Sequence, residues 1–123
     1  MDTILNEVKI NGIDYVRKSS ENVMAEKLDG LRYAIIRTYS AGVFAGYVKE
    51  RNGKEGIILN SRMLWYWDGA CSLSQIAVDG VSKPENCKFT VTVKERELTG
   101  IIDVIYCTEK ARLNIQGVQE WAE

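Results

Sequence analysis

The 123-residue sequence contains no histidine. Histidine is the side chain that most often moves protons near neutral pH, so an enzyme made from this chain would need a strongly perturbed carboxylate, lysine or cysteine in its place. A G-x-S-x-G elbow, a Walker loop and a dinucleotide fingerprint are also missing. The three cysteines, Cys71, Cys87 and Cys107, are an odd number with no C-x-x-C spacing, and no histidine is there to complete a metal set. Beside apolar neighbours they read as small buried hydrophobes. The expectation is a non-enzyme with no catalytic residue, no metal and no cofactor.

Charge of either sign is not in excess: 16 basic and 17 acidic residues leave a formal net charge of −1. That removes the broad positive field on which non-specific nucleic-acid binding depends, so no DNA or RNA polymer is expected as a partner. A local basic pocket stays open as a reading, because a small ligand carrying two phosphates needs only a few well-placed cations. No apolar run approaches the roughly 18 residues that a membrane span requires, and no charged-then-apolar leader opens the sequence. No membrane contact is expected, and the expected location is the cytoplasm.

With 46% hydrophobic and 27% charged residues the composition is that of an ordinary globular protein, and the length suits one domain over residues 1–123. Glu7 to Ile10 and Ile13 to Arg17 alternate in polarity around Asn11-Gly12, which predicts a hairpin. Ser20 is placed to cap a short helix through Val23, Met24 and Leu28 that ends near Gly30. Leu31 to Thr38, Val43 to Lys49 and Ile57 to Leu59 read as three strands of a meander, with Met63 to Trp67 a further short strand. Ser72 reads as the N-cap of a short helix from Leu73 to Asp79, closed by Gly80.

The single proline, Pro84, lies in the turn-forming run Ser82 to Asn86. Beyond it Phe89, Val91 and Val93 alternate with polar residues over a long strand, and Ile101 to Cys107, apolar at both parities, reads as a strand buried on both faces. Thr108 caps a C-terminal helix with Ala111 and Ile115 on one side and Gly117 as its stop. The predicted class is α+β: mainly antiparallel sheet built from hairpins and a meander, with one short central helix and a C-terminal helix.

Several residue types suggest ligand contact. Arg37 shares strand parity with Tyr33, Ile35 and Tyr39, which sets its guanidinium among large apolar groups, either snorkelling to water or anchoring an anion. Gly42 and Gly46 remove side-chain bulk, so a turn is satisfied or another backbone or a ligand comes close. Trp65-Tyr66-Trp67 puts aromatic rings on both faces of a strand; they fill the core with Tyr66 outward, or an exposed ring stacks on a base or covers a subunit contact. Lys83, Asn86, Lys88 and Phe89 bracket the Pro84 loop with two cations, an amide and a ring. Arg112 stands three residues from Glu109, the spacing of a helix surface ion pair, or it closes over a phosphate.

The strings Arg37-Thr38-Tyr39-Ser40-Ala41-Gly42-Val43-Phe44-Ala45-Gly46, Trp65-Tyr66-Trp67-Asp68-Gly69-Ala70, Ser72-Leu73-Ser74-Gln75, Gly80, and Lys83-Pro84 through Cys87-Lys88-Phe89 cover the middle half of the chain. In that order they resemble the small phage proteins that counter the bacterial Thoeris system, the first-described Thoeris anti-defence sponge family. The resemblance implies sequestration of glycocyclic ADP-ribose signals made by TIR-domain enzymes, and in some members of cyclic oligonucleotides, without cleavage, in pockets at subunit contacts of a homo-oligomer. The ligand-binding residues expected on this reading are Arg37, Tyr39, Ser40, Gly42, Phe44, Arg62, Trp65, Trp67, Lys83, Asn86, Phe89 and Arg112. The N-terminal hairpin and Ser19 to Gly30 lie outside the family pattern. Two other classes stay open: a protein that plugs a host protein surface through Trp65-Tyr66-Trp67, and an enzyme that degrades the signal.

Overall fold

The computed structural model describes residues 23–123, so the hairpin expected at Glu7 to Arg17 lies outside the described residues. Runs of β-branched and aromatic residues form three long strands, β1 (Arg32–Thr38), β2 (Val43–Asn52) and β3 (Glu55–Tyr66), joined by turns in which Gly42 and Gly53 take positive φ. A short helix, α1 (Leu73–Asp79), and a 3-10 turn at Pro84–Asn86 follow. Strands β4 (Lys88–Phe89), β5 (Val93–Leu98) and β6 (Ile101–Tyr106) then lead into a C-terminal helix, α2 (Glu109–Gly117). Both helix starts are capped as the sequence predicts: Ser72 Oγ accepts from the Gln75 amide and Thr108 Oγ1 from the Ala111 amide, each at 3.1 Å. The fold is α+β, with a six-stranded antiparallel sheet and two helices among the described residues. Among the described residues no helix is long and apolar enough to cross a membrane.

The strand order is β4-β3-β2-β1-β6, and β5 pairs with the first half of β3 on the edge whose second half carries β4. β5 and β6 therefore pair at opposite edges, yet only Thr99 and Gly100 separate them. In a flat sheet four strand spacings, ~19 Å, would divide them, whereas three residue steps reach at most ~11 Å. The sheet has to curl. The Ile101 amide donates to the Lys54 carbonyl in the β2–β3 turn, and the Tyr39 amide to the Gly100 carbonyl, each at 2.8 Å, which ties the three turns together. β2 slips register against β3 between Val48 and Glu50 and, with Asn60 nearby at φ 51°, between Ala45 and Tyr47, irregularities of the kind that bend a strand. Gly46 occupies the latter slip, and a Cβ there would stand 2.8 Å from Ser61 Cβ and 3.1 Å from the Leu59 carbonyl oxygen, so the close backbone approach requires glycine.

Curling buries both faces of the sheet. Tyr33, Ile35, Ala45, Tyr47 and Leu64 pack against Ile76 of α1 and Ala111 and Ile115 of α2. Residues of the other parity, Ala34, Ile36, Phe44 and Ile58, close on Leu98 and Ile101 inside the curl. Burial of these side chains is the main source of stability.

Local expectations fail where distant partners decide the outcome. Residues 23–30 are not helical: the Ala25 amide donates to the Cys107 carbonyl, Met24 bridges Thr108, and Leu28–Leu31 is a tight turn. β3 runs unbroken through Asn60-Ser61-Arg62, a polar run that reads as a gap, because Ser61 and Arg62 both find buried partners. The long strand expected from Phe89 divides at Thr90 to Thr92, where the chain passes from one half of the β3 edge to the other. β6 is not buried on both faces; among the described residues it pairs with β1 alone, and Ile102 is 48% exposed.

Candidate functional site

Leu64 takes the helix side of β3, so by strand alternation Trp65 faces the opposite side. Lys88 on β4 shares that side, since its neighbour Phe89 is buried with Leu64. After α2 the chain returns along β4: Glu120 bridges Phe89, and the Trp121 amide donates to the Phe89 carbonyl at 2.9 Å. This lays Trp121 on Trp65, with ring centroids 5.0 Å apart and planes 28° from parallel. Lys88 Nζ stands 5.2 Å from the Trp65 ring centroid and 5.4 Å from that of Trp121, a cation shared by two aromatic faces. Trp65 is still 54% exposed, Tyr66 50% and Trp121 45%. Two stacked rings, each about half exposed, with an ammonium beside them make this surface the candidate site.

Two loops next in sequence to this surface brace one another. Asn86 Nδ2 donates to Asp68 Oδ2 at 3.0 Å, the Ser82 amide to the Gly69 carbonyl at 3.1 Å, and the Asp68 amide to Cys87 Sγ at 3.4 Å. Lys83 is exposed on this pair of loops, and the Asn86 amide is engaged in holding them. Trp67 is half-buried against the helix-side core, which makes it a packing residue.

The β1–β2 turn lies at the same end of the sheet as Trp65, because β1 and β3 both run antiparallel to β2. Thr38 Oγ1 closes the turn, donating to the Gly42 carbonyl at 2.8 Å and accepting from the Ala41 amide at 2.9 Å. Gly42 serves that turn at φ 114°, and Met63 Cε fills the place of its missing side chain. Tyr39 and Ser40 project into water. Arg37 is exposed and unpaired among the described residues rather than enclosed by Tyr33 and Ile35, which the helices cover. Phe44 is buried inside the curl.

Arg62, Phe89 and Arg112 are engaged internally. Arg62 is 2% exposed and donates to three backbone carbonyls, those of Thr90 (Nε, 2.8 Å), Ile115 (Nη1, 2.7 Å) and Phe89 (Nη2, 3.2 Å). Phe89, fully buried, lies under its guanidinium at 5.6 Å. Arg112 donates to both Glu109 carboxylate oxygens, to Tyr47 Oη at 3.3 Å and to Gln116 Oε1 at 3.1 Å, so the ion pair expected at that spacing is present. The Arg112 hydrogen bonds hold the Glu109 carboxyl down at about 2. Burial pushes the Cys107 thiol up to about 12 and raises Cys87 as well.

Sequence reasoning passed over Trp121 and Arg96. Trp121 follows the helix stop at Gly117, where nothing local announces the return to β4; Arg96 was legible only in the alternation of β5, where Lys94 and Arg96 take one parity and Glu95 and Glu97 the other. Among the described residues no group of three or more His, Cys, Asp or Glu is placed to hold a metal ion. A cleft of about 510 Å³ near the β2–β3 turn includes Glu50, Glu55 and Glu97 against the single cation Arg51, which is the wrong charge for an anionic ligand.

No curated protein and no solved structure matches the chain. A family model described as a domain of unknown function, DUF6948, matches residues 31–115, from the start of the sheet into α2 and including Trp65 and Lys88. Since that match covers more than half of its length, the chain belongs to the DUF6948 family.

Proposed function

We propose that the protein binds and sequesters a nucleotide signal of the glycocyclic ADP-ribose type without changing it, as an assembly of identical subunits, and so withholds the signal from the Thoeris effector. The observation that carries this reading is the exposed stack of Trp65, Lys88 and Trp121. Flat aromatic faces take a purine base, and the ammonium beside them takes a phosphate oxygen. Exposed Lys83 and Arg37 add cations toward the same end of the sheet. Cyclic oligonucleotides present the same two groups and form a second ligand class.

Binding without chemistry is supported at two of the three cysteines, since burial raises the Cys87 and Cys107 thiols where a nucleophilic cysteine has to be lowered. The aromatic surface is open, and enclosing a whole nucleotide calls for a second subunit over it. The signal is made in the host cytoplasm, and the protein acts there.

The fate of the ligand tests this reading. Protein saturated with glycocyclic ADP-ribose, separated from free ligand and heated until it unfolds, releases the cyclic nucleotide intact on chromatography. Recovery of ADP-ribose or another opened product would make the protein an enzyme. If no nucleotide stays with the protein through the separation, the same exposed rings would instead serve a host protein partner.

A further inference from the structure

Leu98 closes the inner core, so Arg96 and Lys94 share its side of β5 while Glu95 and Glu97 take the other. The Arg96 guanidinium lies 4.7 Å from the centroid of the Phe44 ring, and its Nε donates to Ser61 Oγ at 3.1 Å. Phe44 and Ser61 are both buried, so the two contacts fix the guanidinium plane on a rigid floor. Among the described residues no carboxylate pairs with Arg96, and its two terminal nitrogens have no hydrogen-bond partner. Neither nitrogen is sealed from water either, since the only fully buried, unpartnered side-chain polar atom there is Tyr33 Oη.

Arg62 and Arg112 make the contrast. Both are anchored against the core, and both spend their donors on internal acceptors. Arg96 is half-buried and burial opposes its charge, yet among the described residues one edge of its fork has no partner. A partly desolvated guanidinium held in one orientation with two donors facing solvent suits two oxygens of a single anion.

We propose that Arg96, with Lys94 beside it, forms a phosphoryl-binding site where β5 meets β3. The planar fork takes two phosphoryl oxygens, and Lys94 supplies the second positive charge that a dianion favours. Ser61, Met63 and Trp65 follow one another on the same side of β3, so the Arg96 anchor at Ser61 stands four residues, ~13 Å, along the strand from Trp65. That separation is of the order that divides the base of a nucleotide from its diphosphate. The anion site stands on its own geometry; only its union with Trp65 around one ligand rests on the function proposed above.

Inorganic phosphate is the probe, read by thermal unfolding against sodium chloride at equal ionic strength. Exclusion of phosphate from the surface stabilises any protein without saturating, so the saturable part of the rise is the signal. The wild type is expected to show a saturable rise, Arg96→Gln to lose it, and Lys94→Gln, a change at an exposed residue, to weaken the phosphate affinity several-fold. Trp65→Ala is expected to keep the phosphate response while losing nucleotide affinity, which separates this site from the aromatic surface. A wild type with no saturable rise would overturn the proposal, as would Arg96→Gln retaining it. If Arg96→Gln fails to fold, an unchanged phosphate affinity in Lys94→Gln would overturn it equally.

Discussion

Arg62→Ala is expected to lower the stability of the protein by ~3–5 kcal/mol, a large part of the margin of a domain this size. The guanidinium is the link between three elements: from β3 it reaches the Thr90 and Phe89 carbonyls at β4 and the Ile115 carbonyl in α2. Removing it takes the charged donor from three carbonyls, leaves those of Phe89 and Ile115 with only the backbone amides of Trp121 and Val118, and opens a cavity over the buried Phe89 ring. Burial opposes the charge of Arg62, but the comparison that matters is with the variant, in which the acceptors keep their places and lose the charged donor. Urea unfolding followed by circular dichroism checks the figure, and a loss below ~1 kcal/mol would show that the carbonyls find other donors. Because Lys88 and Trp121 are placed through β4, the same variant is expected to disturb the aromatic surface as well.

Trp65→Ala is expected to weaken binding of glycocyclic ADP-ribose by ~1–3 kcal/mol, roughly 10- to 100-fold in Kd, the usual contribution of one base stacked on one aromatic ring. The cost to the fold is small in comparison, since Trp65 is more than half exposed and its main neighbour is Trp121 near the end of the chain. Trp65→Phe keeps a stacking face and is expected to recover most of the affinity. Unchanged affinity in a folded Trp65→Ala protein would remove the residue from the site.

How much of this could be read from the sequence follows from the range of the interactions involved. Caps and turns are local, so Ser72, Thr108, Gly42 and Gly80 were legible from a few neighbouring residues. The curl was not, because it depends on β5 pairing with β3 while β6 pairs with β1, a choice made between residues far apart in the chain. The arginines show the same limit at the site. Arg37, Arg62, Arg96 and Arg112 are alike as letters, and what separates them is where buried carbonyls, carboxylates and rings fall in three dimensions. Trp65 was legible as a ring with two options, but its stacking partner Trp121 lies 56 positions away by number and reaches it only through the return of the chain along β4.

Isothermal titration of the wild-type protein with glycocyclic ADP-ribose at physiological salt asks whether it holds an anionic nucleotide. A sponge competes with its receptor for scarce signal, so saturable heat is expected, with a dissociation constant in the nanomolar range, equivalent to roughly −11 to −12 kcal/mol. No heat and no change in tryptophan fluorescence up to ~1 mM ligand, where even a binding free energy of about −4 kcal/mol would register, would contradict it.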